Sequence, residues 1–208
     1  ISPADCGRFG RFGYSFAGRV GSVNFALPAD TKTRVPSKTN VIGLAGRDLE
    51  AMAIGITESV QDDHIKARVG QVHYLGKKLL KKGIPIVLPI GTHGVFLDAK
   101  KFLPHIPQDK FPAQTLAAEL YLESGIRAME RGVVSAGRNE KTGDHNYPNL
   151  ELVRLTIPRR VYTQAHMDVI VESVRNVYKR RNAIKGMEMI YEPEYLRFFQ
   201  ARFKKLKK

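Results

Sequence analysis

From Leu44 to Leu80 the apolar positions recur at helical spacing. Leu49, Met52, Ala53 and Ile56 form one stripe. Ile65, Val69, Val72 and Leu79 continue it, with Tyr74 and Leu75 beside them. Gly55, Gly70 and Gly76 weaken the run and predict a bend. Gly83 closes it after a basic last turn (Lys77, Lys78, Lys81 and Lys82) that suits the negative end of a helix dipole. The stretches "IPIVLPI" and "GVFLDA", joined near Gly91, predict two strands of a hairpin. "FPAQTLAAELYLESG" predicts an amphipathic helix with Pro112 early and Gly125 as its stop.

Further along, "IRAMERG" predicts a strand and "NEKTGDHNYPN" a loop. "LELVRLTI" alternates as a strand, with Leu150, Leu152, Arg154 and Thr156 on one face and Val153, Leu155 and Ile157 on the other. Pro158 ends it. A helix follows from about Thr163 to Arg181, with Met167, Ile170, Val174 and Val177 on its apolar side. "GMEMIYE" predicts a last short strand and "EYLRFFQARF" a last helix, followed by a solvated tail, "KKLKK". Helices interspersed with a hairpin-containing sheet define an α+β (α/β) fold class, with a short, mostly antiparallel sheet and helices mainly on one face.

Residues 1–40 show no sustained period. They are rich in Gly, Ser, Phe and Arg and read as an extended basic arm. The chain therefore divides into that segment, a domain over 41–203 and a basic tail over 204–208. The "GRFGRFG" repeat is not a dinucleotide fingerprint, since no strand precedes it and no acidic residue follows at the required distance. The 208 residues, 43% of them hydrophobic, are ample for a core. A single Cys6 excludes a disulfide framework within the chain. No apolar run approaches the roughly 18 residues of a membrane span. His93, His105, His145 and His166 follow no ligand spacing, so no metal site is expected.

Charge changes the picture more. The formal net charge is +14. Residues 1–40 carry six Lys/Arg against two Asp, and residues 175–208 carry eleven Lys/Arg against three Glu, so the two ends hold most of the excess. A nearly neutral body with basic, aromatic-interleaved ends suits phosphates and exposed bases. Arg8, Arg11, Arg19, Lys179, Arg180, Arg181, Arg202, Lys204, Lys205, Lys207 and Lys208 are the expected contacts to RNA or another acidic partner.

Several long, collinear stretches carry a resemblance. "GLAGRDLEAMAIG", "HIPQDKFPAQTLAAELY", "MERGVVSAGRN", "LVRLTIPRRVYTQAHMDV" and "YEPEYLRFFQARF" resemble the carboxy-terminal part of the β-eliminating lyases, the family of tyrosine phenol-lyase and tryptophanase. "MERG" and "SAGRN" lie nearer the tyrosine-cleaving branch. The resemblance implies the small domain of an aminotransferase-like fold that uses pyridoxal phosphate (PLP). It implies that Arg154 grips the amino-acid carboxylate, that Arg131 selects the phenolic ring, and that Phe198 and Phe199 close over that ring. Without the resemblance, Phe198 and Phe199 read as plain core and Arg131 as a surface partner of Glu130 or Glu123.

The lyase chemistry needs a Schiff-base lysine, an acid on the pyridine nitrogen and phosphate-holding groups. The resemblance puts these in a large domain upstream, and the forty residues preceding the match do not resemble it; Lys32 and Lys38 lack the family's lysine context. Two expectations follow. The first is a non-catalytic structural subunit derived from a lyase small domain, without a cofactor in this chain. Such a subunit would associate with RNA and neighbouring proteins in a large ribonucleoprotein such as a mitochondrial ribosome. The second is a PLP-dependent carbon–carbon lyase fragment or split-enzyme half, cytoplasmic, with the cofactor supplied by another chain. A third and weaker reading gives the basic ends acidic protein or anionic lipid to hold.

Overall fold

A computed structural model describes residues 45–158 and 161–206. The chain falls into two compact units, residues 1–61 and 62–208. The expected arm over 1–40, with Arg8, Arg11 and Arg19, lies outside the described residues, as do Lys207 and Lys208. In the first unit Gly46–Ser59 forms helix α1, in which no residue is buried.

The second unit runs α2 (Asp62–Lys81), β1 (Gly94–Asp98), α3 (Ala99–Phe102), α4 (Pro112–Ser124), β2 (Met129–Arg131) and α5 (Val133–Ala136). It continues with β3 (Leu152–Thr156), α6 (Gln164–Lys179), β4 (Met187–Tyr191), α7 (Arg197–Gln200) and β5 (Arg202–Lys205). Strands β1, β3 and β2 form an antiparallel sheet with β3 in the centre. Register sets Val95 opposite Leu155 and Leu97 opposite Val153. These four residues are buried, in one cluster with Val72, Leu75 and Leu79 of α2, Leu116 and Leu120 of α4, and Met167, Val171 and Val174 of α6. Each fully buried side chain of this size contributes about 1.5–3 kcal/mol. The expected architecture, a short antiparallel sheet with helices on one face, is what forms.

Four local expectations are corrected. The chain is helical straight through Gly55, Gly70 and Gly76, and the break falls at Val60–Gln61. Gly76 packs under Ile90; a Cβ there would lie 2.8 Å from Ile90 Cδ1. "IPIVLPI" is not a regular strand. Pro85 and Pro89 have no N–H to donate, so it keeps one bridge, Ile86 opposite Leu97, with the Val87 amide donating to the Phe96 carbonyl at 2.9 Å and the Asp98 amide to the Pro85 carbonyl at 3.0 Å. β1 pairs instead with β3.

The last helix is a single turn, α7, and Arg202–Lys205 is a strand that pairs with β4. Lys204 and Lys205 therefore lie in a strand paired with β4, with both side chains still exposed. Lys205 Nζ donates to Glu119 Oε1 at 2.5 Å, and Glu119 is buried on α4. A buried carboxylate needs a charged partner, and that need draws the basic end onto the domain.

Candidate active site

The alternation in "LELVRLTI" sorts β3 as expected: Val153 and Leu155 are buried, while Arg154 is half-buried on the opposite, open face. Arg154 is thus not in the interior of the domain. Being on the central strand, it has neighbours on both sides. Met129 of β2 and Phe96 of β1 stand opposite it in register, and Arg131 comes two residues beyond Met129 on the same face.

Arg154 Nη2 donates to Met129 Sδ at 2.9 Å, and its buried Nε has no hydrogen-bond partner. Burial, and then the positive charge of Arg131, push the Arg154 guanidinium below the usual arginine value. Among the described residues no carboxylate is within ion-pair distance of either guanidinium. Two like charges on one face, one with a buried donor unspent, form a place an anion would relieve.

The aromatic pair is there as well. Arg131 Cζ sits 5.5 Å from the centre of the Phe198 ring, within cation–π range. Phe198 and Phe199 meet edge to face at 5.0 Å. The two are not equivalent. Phe198 packs into a small second cluster with Phe111, Val133, Val134, Met189 and Phe203, whereas Phe199 is 57% exposed. The plain-core reading therefore holds for part of Phe198 only.

The segment that carries the aromatics is held by charge. Arg138 donates to both oxygens of Glu192, Nη2 to Oε2 at 2.6 Å. Arg197, only 11% exposed, lies 3.2 Å from Glu192 Oε1 and 2.8 Å from His145 Nδ1. Arg138 holds the Glu192 carboxyl below the usual range, while burial and the two arginines push His145 down. The motif reading missed this cluster. It also missed Met129 and Phe96, which the strand register could have indicated once Arg154 was singled out.

The remaining expected contacts are less available. Arg180 pairs with Glu119 at 3.2 Å and Glu123 at 2.6 Å. Arg181 stacks on Tyr178 at 4.1 Å and Arg202 on Tyr191 at 5.3 Å. Lys179 and Lys204 are exposed. Most of the basic groups described here are occupied within the domain. The histidines have local partners: His105 with the Ile184 carbonyl, His166 in the capping box of α6, His93 against Phe96. Among the described residues no group of three or more His, Cys, Asp or Glu side chains could hold a metal, and no helix is long and apolar enough to cross a membrane.

The open face thus presents guanidinium groups, a thioether and aromatic rings. Its guanidinium groups suit an anion, and its rings suit an apolar or aromatic group. It does not fit pyridoxal phosphate itself, which needs an amine for its imine and a carboxylate for its ring nitrogen.

The arrangement is a small antiparallel sheet backed by helices, with a half-buried arginine on its open face. The family model "Beta-eliminating lyase" matches residues 47–173, and the chain belongs to that family. Within it, the chain is 75% identical over 161 residues to tyrosine phenol-lyase of Nostoc punctiforme, covering 77% of this chain and 34% of that protein. It is 68% identical to the tyrosine phenol-lyase of Symbiobacterium thermophilum (77% and 35%) and 64% identical to that of Pasteurella multocida (77% and 35%). The chain spans about a third of the length of the curated relatives it matches. These findings lie on the lyase side of the two expectations, and none of them supports a ribosomal subunit.

Proposed function

We propose that residues 62–206 form the substrate-gripping half of a β-eliminating lyase acting on tyrosine or a close analogue. Arg154 takes the α-carboxylate through a two-pronged guanidinium pair. Arg131 donates to the ring hydroxyl and orients the phenol, which departs through its ring carbon when the bond to Cβ breaks. Phe198 and Phe199 close over the ring and exclude water. Pyridoxal phosphate, which these residues do not hold, would supply the electron-withdrawing chemistry if bound in the complete enzyme. The observation that carries this reading is the Arg131–Arg154 juxtaposition on one open face, with Arg154 Nε buried and unpartnered.

The test is made in the complete, cofactor-loaded enzyme. Arg154→Ala should weaken every amino-acid substrate by about 100-fold, the size of a lost charge-assisted pair. Arg131→Ala should spare amino acids that have no phenol ring. Equal sensitivity of ringed and ring-free substrates to the loss of Arg131 would refute the assignment.

A further inference from the structure

Two buried glutamates stand next to the site and take no part in gripping substrate. Glu130 is 3% exposed and Glu151 is 1% exposed. Each occupies a core-facing position: Glu130 lies in β2 between Met129 and Arg131, and Glu151, the residue before β3, shares parity with Val153 and Leu155. A carboxylate there needs several donors to offset its desolvation.

The donors to the Glu130 side chain come from the turn that follows Arg131; Glu151 takes donors from that turn, from Gln108 and from the Ala113 amide. Glu130 Oε1 accepts from the Val134 amide at 3.2 Å. Its Oε2 accepts from the Ser135 amide at 3.0 Å and the Ser135 hydroxyl at 2.6 Å. Glu151 Oε1 accepts from the Val133 amide at 3.1 Å and from Gln108 Nε2 at 3.2 Å. Glu151 also lies so close to Gly132 that no side chain fits there; a Cβ would fall 2.1 Å from Oε2. The two carboxylates therefore grip residues 132–135 from either side. The same turn supplies Val133 and Val134 to the cluster that seats Phe198. Arg154 depends on it less, because β3 is also held on its other edge by the five-residue ladder with β1.

We infer that Glu130 and Glu151 are positioning residues for ring recognition: they fix the turn that presents Arg131 and seats Phe198, and leave the carboxylate grip of Arg154 alone. The inference rests on the proposed substrate reading. A merely structural pair would lower all activities together; a positioning pair lowers only those that need the ring.

The experiment compares tyrosine with 3-chloroalanine, which has a good leaving group and no ring, in the complete cofactor-loaded enzyme. Glu130→Gln keeps one acceptor oxygen and turns the other into an NH2 donor, so the Val134 amide or the two Ser135 donors lose their acceptor. It should lower kcat/KM for tyrosine by about tenfold or more, the effect of a lost charge-assisted bond. For 3-chloroalanine the change should stay within about threefold. Ser135→Ala, which removes only one donor and cannot unfold the turn outright, should show the same split more weakly. Hydrogen exchange at the amides of residues 133–135 should rise in both variants, a readout independent of turnover. Parallel losses on both substrates, or unchanged exchange and unchanged tyrosine turnover, would overturn the inference. Arg131→Ala is measured beside them. If it shows no ring-dependent split, the substrate reading itself fails, and the positioning role falls with it. A split for Arg131→Ala alone sinks the positioning role only.

Discussion

Replacing Gly132 by alanine isolates the contact on which the turn after Arg131 depends. The new Cβ would sit 2.1 Å from Glu151 Oε2, 2.5 Å from Cδ and 2.7 Å from Oε1. Real Cβ atoms do not come this close, so the carboxylate must move. It is buried and held by Val133, Gln108 and the Ala113 amide, so it has nowhere open to go. Losing one charge-assisted bond costs about 1.5–3 kcal/mol. Overpacking adds about 1–3 kcal/mol. The expected destabilisation is about 4 kcal/mol, a fall in Tm of roughly 8–16 °C for a domain of this size.

Denaturant unfolding at fixed pH measures it, together with a control and a double mutant. Gly125→Ala meets no atom within 4 Å but has φ +71°, so it should cost only about 1–2 kcal/mol of backbone strain. Glu151→Ala removes the atoms that the new methyl group of Gly132→Ala would strike. The double variant should then be less destabilised than the sum of the singles by more than about 1 kcal/mol. Additive losses would refute the steric account, because the two positions would not be sharing a contact.

Two further outcomes test the charge and the core. Burial pushes Glu130 and Glu151 up, with Glu130 adding to the effect on Glu151. Their favourable contribution is therefore full below the ordinary glutamate range and lost as pH rises through the raised folded values. Glu192 runs the other way: lowered by Arg138, its contribution is present above the ordinary range and lost as pH falls through its folded value. Denaturant midpoints taken against pH should flatten on the neutral side for Glu151→Gln and on the acid side for Glu192→Gln; an unchanged profile in either variant contradicts the assignment. Phe102, fully buried and edge to face with Tyr178 at 4.8 Å, should cost about 3–5 kcal/mol when cut to alanine, and a loss under about 1 kcal/mol would show that the site collapses around the cavity.

What can be read from the chain without its fold is local and periodic. Helical spacing identifies α2, α4 and α6, and the two-residue period of "LELVRLTI" puts Arg154 on the face opposite Val153 and Leu155. The same parity sets Glu151 among the core positions, where a charge signals a demand for donors. Long motifs point to the family because they record side-chain chemistry in order.

Tertiary structure decided what depends on partners distant in the chain. Arg154 meets Met129, and with it Arg131, only through antiparallel register across a gap of 25 residues. "RFFQARF" has a helical pattern, yet Arg202–Lys205 is a strand because β4 offers an edge and Glu119 a buried charge to neutralise. The basic groups of α6 and β5 have the composition of a surface for an acidic partner, but several are held by Glu119 and Glu123 or by tyrosine rings within the domain. Local pattern reports which face a residue occupies. Which opposing charge, edge or ring it finds there is settled only when the chain folds back on itself.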